Sequence, residues 1–289
     1  MGQILVLGVV NGAIYALIAV GLVLVYKGSR VLNFAQAEIG TLSLYALWWL
    51  SGEHGVPYIV GALAVIAVAI AIGLSFEWFA VRRMSEAPRV SVAVATIGLL
   101  TLAIAVESVW FGPSPRKIPP PIRGLGVNVS GVFVSPTQII SLAAIALIAL
   151  ALTVFLRRTD FGLGVLAAAQ DATAARLMGI SQRRVGAFVW GAAAALSAIA
   201  ALLIEPSIGF LSPGALSGLF IGGLAAALVG GLKSLPGAYA GGFVVGIVEA
   251  TIKSQLTGLS IPGVTTLGMF VVIAAVLLFR PQGLLGSQA

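Results

Sequence analysis

Hydrophobic runs follow one another along almost the whole chain, separated by short polar breaks. A helix that crosses a bilayer needs about 20 mostly apolar residues, because each residue adds about 1.5 Å. The first such run extends from Ile4 to Tyr26 and holds one strongly polar residue, Asn11. It is too long for a secretion-signal core and lacks a basic start, so it is expected to stay in the chain. A weaker run covers Glu38 to Leu50. Further runs occupy residues 57–81, 92–111, 137–156, 186–204, 214–232, 236–252 and 262–279. The pattern predicts about nine crossings, within a range of eight to ten. The second run is the weakest, being short and beginning on Glu38. The stretch 28–38 is too polar to span, which points to a broken or re-entrant helix there.

Two connections are long. Residues 112–136 contain five prolines before Val132 and an alternating stretch from Val127 to Val134. They predict an external loop with a small hairpin. The other connection, 157–185, separates two runs and is rich in helix-forming alanine. Placing it in the cytoplasm puts Lys27, Arg30, Arg82, Arg83, Arg89, Arg157, Arg158, Arg176, Arg183, Arg184, Lys233 and Arg280 inside. Those are 12 of the 16 basic residues; Arg116, Lys117, Arg123 and Lys253 fall outside. The bias obeys the positive-inside rule and predicts an external N-terminus and a cytoplasmic C-terminus.

Composition agrees with this reading. Of 289 residues, 60% are hydrophobic and 9% charged, and the mean hydropathy is +1.11. A soluble domain is about 45–50% apolar and about 25% charged, so the polar surface here is too small for water. The fold class is therefore all-α: one polytopic transmembrane helix bundle over 1–289, with broken or re-entrant helices. The net charge of +7 records orientation rather than nucleic-acid binding. With no cysteine, disulfides, thiol catalysis and thiolate metal sites are excluded, and the single His54 excludes a His-rich centre. The scattered acids form no catalytic cluster and no metal site, which argues against a membrane-embedded enzyme.

Within 157–185, the run from Leu166 to Met178 predicts a short small-residue helix, and Gly179 supplies a stop. Asp171 is placed to cap a second short helix. Small side chains let another protein approach closely, and Val165, Leu166, Leu177, Met178 and Ile180 add apolar contact. The two readings are an ordinary membrane-resting loop and a docking helix for a cytoplasmic partner.

Three segments carry a resemblance. Ala169-x-Asp171-x-x-Ala174-Ala175-x-x-x-Gly179-Ile180 resembles the cytoplasmic loop of branched-chain amino-acid type ABC-importer permeases. Leu32-Asn33-Phe34-Ala35-Gln36-Ala37-Glu38 resembles that family's [IL]-N-[FL]-A-H-G-E segment. Gly230-Gly231-Leu232-Lys233-Ser234-Leu235-Pro236-Gly237-Ala238, with Gly241-Gly242 and Glu249-Ala250, resembles its glycine-rich G-G-x-G-S-x-P-G-A segment. The order is kept, across residues 32–250. Gln36-Ala37 replaces the usual His-Gly, and Lys233 a common Gly.

The resemblance implies the transmembrane permease subunit of an ATP-driven importer for branched-chain amino acids or related small solutes. It implies a coupling helix over Ala169, Asp171, Ala174, Ala175, Arg176, Gly179 and Ile180. It also implies two ABC ATPase subunits carrying ATP and Mg, a second permease or second copy of this chain, a periplasmic binding protein, and a bacterial inner membrane. The chain itself has no ATP site: Gly230–Ser234 lacks the Gly-Lys-[Ser/Thr] order of a phosphate loop. Alternatives are an ion-coupled secondary transporter, and the same architecture importing urea, amides or aromatic acids.

Polar groups inside a bilayer usually face a cavity or a partner. Asn11, Asn33, Phe34, Gln36, Glu38 and Gly222 are the candidate pathway residues. Broken helix ends at Asn33–Glu38 expose backbone groups suited to a zwitterion, while Glu38 can equally serve as a helix cap. Glu107 and Glu205 sit near external helix ends, with a chain break expected just after Glu205. Glu249 and Lys253 have the spacing of an ordinary i,i+4 pair. Gly214, Gly218 and Gly222, Gly237 and Gly241, and Gly242 and Gly246 recur every four residues and predict close helix packing.

Overall fold

A computed structural model describes residues 2–84, 86–118, 126–129, 132–255, 264–280 and 283–284. The elements are α1 (Gly2–Ser29), α2 (Gln36–Leu47), α3 (Tyr58–Phe76), α4 (Arg89–Val106), β1 (Val127–Val129), β2 (Val132–Val134), α5 (Pro136–Arg158), α6 (Asp160–Gln170), α7 (Ala172–Leu177), α8 (Gln182–Ile208), α9 (Ser217–Gly230), α10 (Leu235–Gln255) and α11 (Val264–Phe279). π-helical turns extend α2 over Trp48–Glu53, α3 over Glu77–Val81 and α4 over Glu107–Phe111.

Among the described residues, six helices are long and apolar enough to cross a membrane: α1, α3 and α4 with their extensions, α5, α8 and α10. α2, α9 and α11 coincide with expected runs but are shorter. At about 1.5 Å per residue, α9 measures only about 21 Å and α2 about 18 Å before its π-helical extension, and most of both is buried inside the bundle.

α1 is the central helix. It is apolar on every side, as a fully surrounded helix must be, and nearly all of it from Val10 to Val25 is buried. Around it pack α8, α9 and α10. α3, α4 and α5 lie further out and turn large apolar side chains such as Ile59, Leu102 and Leu147 outward. Such an apolar exterior fits lipid as solvent.

The seam between α1 and α10 is built on glycine. A Cβ placed on Gly12 would sit 2.7 Å from the Gly242 carbonyl oxygen. One on Gly8 would sit 2.8 Å from the Ile247 Cα. Gly242 and Gly246 meet Gly12 from the other side, while Gly237 meets Gly230 and Gly241 meets Ala226, joining α10 to α9. Lipid supplies no hydrophobic drive between helices, so this backbone-to-backbone approach is what holds them together.

Two glycine expectations are corrected. Gly214 lies before α9, in a turn with φ 72°, and belongs to no helix face. Gly218 would meet nothing within 4 Å. Only Gly222 of that series packs, against the Tyr15 ring. The expected break after Glu205 also moves. α8 continues through Pro206 to Ile208 and ends at Gly209, φ 77°. Alternation in the 112–136 loop does form a hairpin, with Val127 opposite Val134 and Val129 opposite Val132.

Hydrogen bonds tie the ends of the bundle together. Lys27 donates to the Lys233 carbonyl (2.9 Å), and the Leu284 N–H reaches the Val229 carbonyl (2.7 Å), gathering the ends of α1, α9 and the 280s at one end. Arg116 bridges to Leu211 at the opposite end, near Lys117 over Phe210. Arg123 lies outside the described residues.

Candidate functional site

Between α1 and α2 the chain turns back into the bundle. Arg30, a non-glycine residue with φ 57°, closes α1, its N–H bonding the Tyr26 carbonyl. The following turn is then pinned from several sides. Asn33 Oδ1 accepts the Ala35 N–H (3.1 Å), and Asn33 Nδ2 donates to Gln36 Oε1 (3.2 Å). Gln36 Nε2 donates to the Ala193 carbonyl (2.7 Å), and the Ser197 hydroxyl donates to the Gln36 carbonyl. The Phe34 N–H reaches Thr96 Oγ1 (3.2 Å). Asn33, Gln36, Thr96 and Ser197 are all buried. Every such group needs a partner in a dry interior, and here most partners lie on α4 and α8.

In the first turn of α2, Glu38 Oε1 lies 3.0 Å from the hydroxyl of Ser217, the first residue of α9, which also reaches the Gly214 carbonyl at 2.8 Å. Glu107 accepts the Gly214 N–H at 3.0 Å. Two buried carboxylates thus hold the turn 214–217, where α9 begins, and the first turns of α2 and α9 face each other. Glu38 Oε2 and Glu107 Oε1 remain without a hydrogen-bond partner, as does the buried Tyr45 hydroxyl. Tyr45 stacks on Phe111 (4.7 Å), one turn beyond Glu107, and the Arg116 guanidinium lies over Trp48 (4.6 Å). Ser217 and Gly218 are exposed. Helix N-termini carry partial positive charge and favour an anionic group, while the spare oxygens accept hydrogen bonds. Both spare oxygens are themselves buried, so the part of this junction open to a solute is the exposed Ser217–Gly218 end of α9.

The structure therefore brings Asn33, Phe34, Gln36 and Glu38 together, with Phe34 beside Phe220 (5.8 Å). Gly222 sits further along α9 against Tyr15, and Asn11 lies half-buried one turn before Tyr15 on α1. Neither belongs to the turn. Tyr15 donates to Glu249 at 2.5 Å, a partner on another helix that the i+4 spacing with Lys253 does not disclose.

The 157–185 segment forms α6, an elbow, and α7. Thr159 caps α6 by accepting the Gly162 N–H, so that helix starts before the expected Leu166. Asp171 caps α7, accepting Thr173 N–H (2.8 Å) and Ala174 N–H (3.0 Å). Gly179, φ 85°, ends it. Asp171, Ala174, Arg176 and Gly179 are exposed, as are Leu177 (86%) and Met178 (70%). Ala169 and Ala175 are buried against the bundle, and Ile180 is half-buried, so these three face inward and do not present themselves to a partner.

The family model for the permease component of branched-chain amino acid transport systems matches residues 4–280. The chain belongs to this family. Curated relatives run the same length. The high-affinity branched-chain amino acid transport system permease protein BraD of Pseudomonas aeruginosa is 31% identical over 98% of this chain and 95% of its own. The corresponding protein LivH of Escherichia coli K12 is 31% identical over 96% and 93%. A solved structure, PsaBC from Streptococcus pneumoniae in complex with Fab, superposes with a TM-score of 0.47 at 15% identity, over 96% of this chain and 89% of that one. That likeness is too loose for any conclusion.

As a member of this permease family the chain is a multi-pass membrane transport component and not an enzyme. Several site residues of this permease were not singled out by sequence: Thr96, Ser197 and Ser217, and the burial of Glu107. Small hydroxyls inside apolar runs carry no periodic signal, because they are tolerated wherever they bond the previous turn. Thr96 does so while also holding Phe34, bonding the Ala93 carbonyl.

Proposed function

We propose that this chain is the membrane subunit of an ATP-driven importer of branched-chain amino acids or closely related small zwitterions. The observation that carries the proposal is the family match over residues 4–280. The relatives are named as high-affinity branched-chain amino acid permeases, and the exposed N-terminal end of α9 at Ser217 and Gly218 suits the carboxylate of an amino acid.

In this reading the pathway passes the Asn33–Glu38 turn and the exposed Ser217–Gly218 face of α9, between this chain and a second permease, homologous or identical. Phe34 contributes an apolar wall; Gly222 and Asn11 lie behind the turn. Exposed Asp171, Ala174, Arg176 and Gly179, with Leu177 and Met178, meet an ATPase subunit. Ala169, Ala175 and Ile180 brace that lever against the bundle. ATP and Mg reside on two ATPase subunits, and a periplasmic binding protein delivers the solute. The membrane is the bacterial inner membrane, with the N-terminus outside and the lever in the cytoplasm.

The test is uptake of leucine into proteoliposomes holding the permease pair and ATPases, with binding protein outside. Transport is expected to require ATP and to survive collapse of ion gradients. Uptake that persists without ATP and follows an ion gradient would establish a secondary transporter.

A further inference from the structure

Away from that turn, a cavity of about 580 Å³ opens at the Lys27–Lys233 end of the bundle, between α1, α5, α6 and the α9–α10 turn. Three cationic side chains from three separate elements line it: Lys27 near the end of α1, Arg157 near the end of α5, and Lys233 in the turn. No acidic residue lines it, and among the described residues none of the three forms an ion pair. Like charges gathered at the edge of a low-dielectric region repel one another unless an anion sits among them. Lys27 spends one donor on the Lys233 carbonyl and keeps two. Hydroxyls of Thr153 and Ser234 add neutral donors.

We propose that this cavity holds the phosphate headgroup of an anionic phospholipid. Its remaining walls are apolar, supplied by Leu156 and Leu166 among others. A free phosphate would have no use for such walls, whereas the glycerol and first methylenes of a lipid would. The adjoining face of α5, one turn away, turns Leu147, Leu150 and Val154 outward, so the cavity borders the bilayer. Basic pockets between transmembrane helices at the headgroup level take anionic lipids in this manner. Arg157 and Lys233 are both exposed, free to swing onto a phosphate. Lys233 stands where the resembling segment carries Gly, so this chain adds a charge to a turn that is otherwise neutral. Because Leu166 belongs to α6 and Tyr239 to α10, the bound lipid lies between the coupling segment and α10.

The experiment is native mass spectrometry of the full chain released from nanodiscs containing equal phosphatidylglycerol and phosphatidylcholine. One phosphatidylglycerol is expected to remain bound in preference to phosphatidylcholine. The double variant Arg157→Gln, Lys233→Gln should lose that retention by about tenfold or more, two charge-assisted contacts being removed. Its thermal stability in pure phosphatidylcholine nanodiscs should match the parent, since both side chains are exposed. Equal retention of the two lipids by the parent, or unchanged retention by the variant, overturns the proposal. Displacement of the lipid by millimolar inorganic phosphate also overturns it, assigning the cavity to a free anion.

Discussion

The Arg30 guanidinium donates a 2.9 Å hydrogen bond to the main-chain carbonyl of Ala169, 139 residues further on. Arg30 opens the turn that carries Asn33, Gln36 and Glu38, and Ala169 belongs to α6 in the coupling segment. A displacement of α6 therefore pulls on the turn directly. Arg30 also adopts a left-handed backbone conformation, which costs a non-glycine residue about 1–2 kcal/mol. Replacing it separates the two effects. Arg30→Gly relieves the backbone and removes the hydrogen bond, so folded yield and thermal stability should hold while ATP-driven uptake falls about tenfold, the expected worth of a charged hydrogen bond. Equal loss of stability and uptake would assign Arg30 to structure alone.

Ser217→Ala removes the hydroxyl that links Glu38 Oε1 and the Gly214 carbonyl. An acceptor stranded in a buried site costs about 1–3 kcal/mol, so melting temperature should fall. Ser217→Thr, which keeps the hydroxyl, should restore it. Leucine uptake measured beside the melting curve tells whether the α2–α9 junction also serves transport.

Glycine spacing makes a contrast. Gly222→Ala drives a methyl into the Tyr15 ring, and Gly246→Ala drives one into the Gly12 backbone. Overpacking of this kind costs about 1–3 kcal/mol. Gly218→Ala meets nothing and should leave the monomer as stable as the parent. Parallel melting curves in detergent check the ranking. A selective loss of permease pairing in Gly218→Leu would mark the open face of α9 as the subunit interface.

Leu177 and Met178 project from the end of α7 with nothing over them. Leu177→Asp with Met178→Asp should abolish co-purification of the ATPase subunit while the chain inserts and melts normally. Asp171→Ala removes the cap of α7 and costs about 1 kcal/mol locally, so it should weaken co-purification less. ATPase recovered at parental levels with the double variant would remove α7 from the coupling interface.

The bundle was legible where one physical rule acts alone. Apolar runs long enough to span mark the crossings, and the cap at Asp171 and stop at Gly179 follow from backbone chemistry. The three π-helical extensions carry no such mark, since Trp48–Glu53 and Glu107–Phe111 read as continuing α-helix. Four-residue glycine spacing misleads at Gly214 because the periodicity runs across the turn before α9 begins. The site was half legible. Asn33, Gln36 and Glu38 stood out as polar residues at bilayer depth. Thr96, Ser197 and Ser217 did not, because only tertiary contact turns an unremarkable hydroxyl into a clamp. Ala169 and Ala175 read as docking surface because small size suits a partner and a core equally.

The Tyr15–Glu249 link and the glycine seam beside it join segments separated by 234 positions. During synthesis α1 therefore leaves the ribosome long before the helix against which it belongs. Its bare Gly8 and Gly12 face has to be sheltered meanwhile, by lipid or by the insertion machinery. A chain halted before α10 would carry that face unmated, an obvious mark for membrane quality control to recognise.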